Sequence, residues 1–125
     1  MRIFDHTIRL TSVKIYNRKN CCGDRLKSVE VRAGVHPIEA DYKGRITKNS
    51  LCGTFVGPGE NAAVYTVTCN PPIHANIVTL QIVASGDQTL QLDEVTYADG
   101  ISDRLYIFYE LIYLLNIYSE LIVKI

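Results

Sequence analysis

Neither sign of charge is in excess in this chain: Lys+Arg and Asp+Glu both total 13. That balance offers no electrostatic reason to expect nucleic acid as a partner, or an anionic membrane surface. Catalytic signatures are missing too. No G-x-S-x-G, H-E-x-x-H or phosphate-binding loop occurs, and the chain is read as non-enzymatic. Zinc fails on spacing, because no two cysteines stand at C-x(2–4)-C and no two histidines at H-x(3–5)-H. The start, MRIFDHTIRL, carries Asp5 and His6 and lacks the apolar run of ~7–15 residues that a secretory signal has. There is no internal repeat, and no tryptophan among otherwise plentiful tyrosines.

What is present suits a single globular domain. The 125 residues are 47% hydrophobic and 21% charged, which is not the composition of a disordered chain. Such a length buries roughly two thirds of its unfolded surface.

Six short β-type runs alternate with turn signals and carry no helical period. Val13–Tyr16 comes first, and turn chemistry from Asn17 to Gly23 follows. Val29–Arg32 alternates apolar and polar, the period of a half-buried strand. Residues 34–50 are polar and loop-like. Cys52–Val56 ends at Gly57-Pro58-Gly59, Val64–Cys69 at Asn70-Pro71-Pro72, and Ile77–Val83 at Ser85-Gly86-Asp87. Leu90–Tyr97 is the last, closed by Asp99-Gly100. This spacing predicts an all-β fold, an antiparallel sandwich or barrel.

Residues 105–125, LYIFYELIYLLNIYSELIVKI, depart from that pattern. The run approaches the ~20 apolar residues that span a bilayer. Glu110, Asn116, Ser119, Glu120 and Lys124 interrupt it, and internal charges oppose insertion by about 2.5–3.5 kcal/mol each. The absence of Gly and Pro permits a helix, capped by Ser102 or Asp103. We expect an apolar C-terminal helix packed on the sheet surface. The alternatives are a membrane-associated segment and a poorly ordered one.

Residues 17–26, N-R-K-N-C-C-G-D-R-L, are the most informative stretch. The four cysteines at 21, 22, 52 and 69 permit two disulfides, and disulfides imply an extracellular setting; buried free thiols are the alternative. Adjacent Cα atoms lie ~3.8 Å apart, whereas ordinary disulfides span ~4.4–6.8 Å. A Cys21–Cys22 bond therefore makes a tight, rigid turn with a flat, polarisable face. Arg18 and Arg25 beside it supply planar forks of N–H donors. A rigid apolar plate with flanking donors suits a sugar, which has hydroxyl acceptors and C–H faces. The alternative is a polar hairpin loop with two solvated arginines.

On these residues the chain resembles the F-type lectins (fucolectins). V-K-I-Y-N-R-K-N-C-C-G-D-R-L is similar to the family's strand followed by Arg-x-Asp-Cys-Cys-Gly-Glu-Arg. The likeness continues through S-V-E-V-R-A-G, L-C-G-T, V-Y-T-V-T-C and N-I-V-T-L-Q-I, and closes with L-Q-L-D-E-V-T-Y. It covers residues 11–98, a partial lectin domain, and leaves 99–125 as a tail outside it.

The resemblance implies a discoidin-like jelly roll, secretion, and binding of fucosylated glycans without turnover. Its sugar-binding residues map to Arg18, Asn20, Cys21, Cys22 and Arg25. The arginines would hold sugar hydroxyls and the ring oxygen, and the Cys21–Cys22 disulfide would pack on the sugar's apolar edge. It also implies a Cys52–Cys69 bridge. Two departures stand out. Asn20 replaces an Asp that orients the arginines, and an amide holds them more weakly. The family's His, in His-x(24)-Arg-x-Asp-x(4)-Arg/Lys, would precede Met1, and His6 is too near Arg18 to be it. The expectation is therefore a domain incomplete at its N-terminus, which also accounts for the missing tryptophan and for Asp93 standing at a family cysteine. Calcium is implied as well, with Asp93 and Glu94 as the remaining ligands, far short of the ~6–8 oxygens Ca²⁺ takes. Glu94 reads equally well as an ordinary strand residue. His36 and His74 read as solvated loop residues. The competing reading is a lectin-like sandwich that has lost its site and serves only as a structural or interaction fragment.

Overall fold

A computed structural model describes residues 7–38, 45–83, 90–100, 105–107 and 120–125. Among the described residues eight strands run in chain order: β1 (Ile8–Asn17), β2 (Val29–Gly34), β3 (Ser50–Phe55), β4 (Val64–Ala75), β5 (Ile77–Ile82), β6 (Leu92–Ala98), β7 (Leu105–Ile107) and β8 (Glu120–Lys124). They form two four-stranded sheets, β4-β1-β6-β7 and β3-β2-β5-β8. All pairings are antiparallel. The all-β sandwich expected from the strand spacing is what forms.

Period-two burial builds the core. Val13 and Ile15 of β1, Val29, Val31 and Ala33 of β2, and Val78, Leu80 and Ile82 of β5 alternate inward and are nearly inaccessible. Val67 and Cys69 of β4 and Val95 and Tyr97 of β6 complete one continuous cluster between the sheets. β-Branched side chains dominate because they pack well on pleated, half-buried surfaces.

Two strands run further than the sequence pattern predicts. β1 begins at Ile8, with an irregularity between Leu10 and Ser12. β4 continues past Asn70-Pro71-Pro72 to Ala75 instead of stopping at Cys69. It lies at a sheet edge, where missing N–H groups are tolerated. The prolines fall within the irregular stretch between the Ser12↔Thr68 and Leu10↔Ile73 pairs.

The expected C-terminal helix does not form at the described residues of the tail. Leu105–Ile107 is a strand that pairs with β6, and Glu120–Lys124 is a strand that pairs with β5. Leu121 and Val123 point into the core, at 3% and 0% exposure. The tail thus joins the sheets edge-on, and at these residues it is part of the sandwich. Two causes favour the strand. Leu121-Ile122-Val123 is rich in β-branched residues. The free edge of β5 also offers a row of unpaired backbone groups that a strand satisfies and a helix does not. Residues 108–119 lie outside the described residues. Among the described residues no helix is long and apolar enough to cross a membrane.

Cys52 and Cys69 form a disulfide. It joins β3 to β4, the edge strands of opposite sheets, and so staples one open side of the sandwich. The cross-link spans a sequence separation of 17. Replacing both cysteines by alanine is expected to lower unfolding free energy by about 3 kcal/mol, read from urea denaturation of the oxidised protein.

On the outer face of β2, Glu30 receives a two-pronged fork from Arg45, Nε to Oε1 and Nη2 to Oε2, both at 2.8 Å. Arg32 Nε adds a bond of 3.0 Å. The hydrogen bonds from Arg45, opposed by burial and assisted by Arg32, hold the Glu30 carboxyl below its ordinary 4.5. A carboxylate with a lowered folded-state pKa adds stability that is full above the unfolded value and is lost as pH falls through the folded one. Glu30→Gln should therefore be less stable than the parent at neutral pH, with the difference closing below about pH 4. A difference in denaturation midpoint that stays constant between neutral pH and about pH 3 would contradict this.

Candidate functional site

The site begins at the end of β1. The inward series Val13, Ile15 continues to residue 17, which is asparagine, 2% exposed. A polar side chain so placed requires partners, and Asn17 has them on three segments. Its Nδ2 donates to the carbonyls of Gly23 and Glu60, both at 2.9 Å. Its Oδ1 accepts the Arg18 N–H at 2.9 Å. Its backbone N–H donates to the Ala63 carbonyl at 2.9 Å. One side chain thus ties the cysteine loop and the 57–62 loop to the last residue of the central strand.

Further bonds knit the two loops together. Asn61 Oδ1 accepts the Gly23 N–H at 2.7 Å. Ala62 N–H donates to the Arg18 carbonyl at 2.9 Å, and Gly59 N–H to the Leu26 carbonyl at 2.8 Å. Gly59 is required by space: a Cβ there would lie 2.8 Å from Asn17 Nδ2. The Tyr65 hydroxyl accepts the Glu60 N–H at 2.8 Å, and its ring stacks at a tilt on Phe55, centroids 4.3 Å apart.

On this base the cysteine loop makes a sharp turn. Cys21 and Cys22 are joined by a disulfide, with Cα atoms 3.7 Å apart. Cys22 takes a left-handed backbone, φ 66°, and a single 3₁₀ turn follows over Gly23–Arg25. Arg25 N–H closes that turn on the Cys22 carbonyl at 3.0 Å. Both cysteines remain partly accessible.

Arg18 and Arg25 come together. Arg18 Nη1 donates to Gln91 Oε1 at 2.7 Å, and Arg25 Nη1 donates to the same oxygen at 3.1 Å. Arg18 is half-buried and Arg25 exposed. Two guanidinium forks thus converge on one point beside the disulfide turn, at one pole of the sandwich.

The remaining expected residues are placed differently. Asn20 is exposed and makes no side-chain hydrogen bond among the described residues; Gln91 receives the arginines instead. Asp93 is exposed, with its carboxylate 3.9 Å from Lys19 Nζ. Glu94 lies opposite Tyr16 in the ladder. Among the described residues no group of three or more His, Cys, Asp or Glu that could hold a metal ion occurs. His36 and His74 are exposed and line one cleft at the other pole, away from the arginines.

Two residues of the site were not anticipated from the sequence. Asn17 could have been found, because the alternation Val13, Ile15 points residue 17 inward. Gln91 could not, since it is separated from Arg18 by 73 positions. No protein-family model, curated protein or solved structure matches the chain.

Neighbouring asparagines separate the buried role from the exposed one. Asn17→Ala strands the Gly23 and Glu60 carbonyls and should cost about 2–4 kcal/mol in denaturant unfolding. Asn20→Ala should change stability by under about 0.5 kcal/mol. Equal effects from the two would contradict the hub role of Asn17.

Proposed function

We propose that this chain is a non-catalytic carbohydrate-binding module for fucose-type glycans, of the F-type lectin kind, acting outside the cell. The observation that carries the reading is the convergence of Arg18 and Arg25 on one acceptor position beside the Cys21–Cys22 turn. A sugar edge entering there would receive hydrogen bonds from both guanidinium forks. Its C–H face would rest on the disulfide, which is apolar, polarisable and held by the turn. Binding and release need no bond to be made or broken. Asn20 stands at the rim, within the same loop.

Three further facts are in keeping with this reading. The two four-stranded sheets are compatible with the discoidin-like jelly roll that the resemblance implies. The two disulfides suit an oxidising, extracellular setting. The loops that build the pole are tied by hydrogen bonds to β1, so the site needs little ordering on binding. Calcium has no step in this account.

One observation favours a second reading, a lectin-like sandwich that serves only as a structural or interaction fragment. Gln91 already satisfies both arginines, and a site without need of a ligand looks the same. Glycan-array binding of the recombinant chain, with free fucose as competitor, separates the two. The lectin reading expects a fucose-inhibitable signal. It also expects Arg18→Ala and Arg25→Ala each to weaken binding at least tenfold, since a charge-assisted hydrogen bond is worth about 1.5–3 kcal/mol, with the fold retained by circular dichroism. No inhibitable signal would leave the fragment reading standing.

A further inference from the structure

The arginine pair has an electrostatic property that a neutral sugar does not use. Guanidinium groups stay charged at any working pH. Both cations donate to one oxygen, so their donor nitrogens are no further apart than the sum of 2.7 and 3.1 Å. That oxygen belongs to a neutral amide. Neither arginine is in an ion pair among the described residues. Asp93 faces Lys19, and Asp24, exposed in the 3₁₀ turn, pairs with neither arginine. Asn20, exposed in the same loop, is also an amide.

Like charges this close repel, and a neutral acceptor leaves the repulsion in place. An anionic oxygen group removes it. A carboxylate or a sulfate also presents several oxygens at the spacing of the guanidinium forks, so each arginine finds its own acceptor instead of sharing one. A sugar hydroxyl supplies the hydrogen bond without the charge.

We propose that the Arg18–Arg25 pair takes an anionic group of its glycan, a carboxylate or a sulfate ester, in the position that Gln91 Oε1 fills. This rests on the carbohydrate-binding reading and narrows it to acidic saccharides. Gln91 is then a positioning residue. It holds the two forks together before the ligand arrives and gives way to the ligand's anion.

The test uses the full chain and matched glycans. Affinities are measured for neutral fucosylated oligosaccharides and for the same structures carrying a sulfate ester or a sialic acid. The acidic member of a pair should bind at least about tenfold tighter, as one charge-assisted contact implies. The preference should shrink as salt is raised, and inorganic sulfate should compete where chloride at equal ionic strength does not. The sulfated and sialylated arms tell the two anions apart. Gln91→Glu places a fixed carboxylate between the arginines and should abolish the acidic preference. Equal affinity within every pair, or an acidic preference untouched by Gln91→Glu, overturns the inference while the lectin reading stands. Binding to no glycan of either kind overturns both.

Discussion

A buried asparagine at the end of the central strand is the constraint on which the rest of this site depends. Asn17 occupies the next inward position after Val13 and Ile15, where a sandwich of this kind would ordinarily place an aliphatic side chain. An amide in such a place is unfavourable unless its donors and acceptor are all met. Meeting them requires the Gly23 carbonyl from one loop, the Glu60 carbonyl from another and the Arg18 N–H from its own chain neighbour. The need to satisfy one polar group therefore fixes the relative placement of two loops that are far apart in sequence.

The functional geometry follows from that placement. Arg18 leaves β1 directly after the asparagine. The chain then turns through the bonded cysteines and delivers Arg25 on the far side of a single 3₁₀ turn. Gln91, entering β6 beside β1, receives both guanidinium groups. The framework beneath is closed on one side by the Cys52–Cys69 bridge and extended at its other edges by β7 and β8. Rigidity at the pole is thus inherited from pairing and cross-linking in the body, not from contacts within the loop alone.

Much of this was legible in the sequence, and the exceptions have physical reasons. Six strands could be read because β-branched alternation and Gly/Pro turn signals agree there. The end of β4 is not where the turn signals put it, because an edge strand tolerates prolines that would stop a central one. At Leu105–Ile107 and Glu120–Lys124 the tail forms strands where a helix is expected, because a continuous apolar run carries no period by which to tell helix from strand. What decided it was the unpaired edge of β5, a property of the fold and not of the segment. In the site, Arg18, Cys21, Cys22 and Arg25 lie within one short stretch and could be grouped by local chemistry. Asn20 is expected to steady the arginines because it stands where the resemblance puts an orienting Asp. Gln91 holds that task in the structure, and only the pairing of β1 with β6 brings it there.

The central claim is that ligand recognition belongs to one pole of the sandwich and to the groups Asn17 organises there. Chemical-shift mapping of backbone and side-chain resonances during titration with a fucosylated glycan tests it most directly. The account predicts shifts confined to residues 18–25, 59–62 and Gln91. Residues 34–36 and 73–76 at the opposite pole should be unmoved. Shifts centred on the cleft between His36 and His74, with the arginine pole silent, would contradict it.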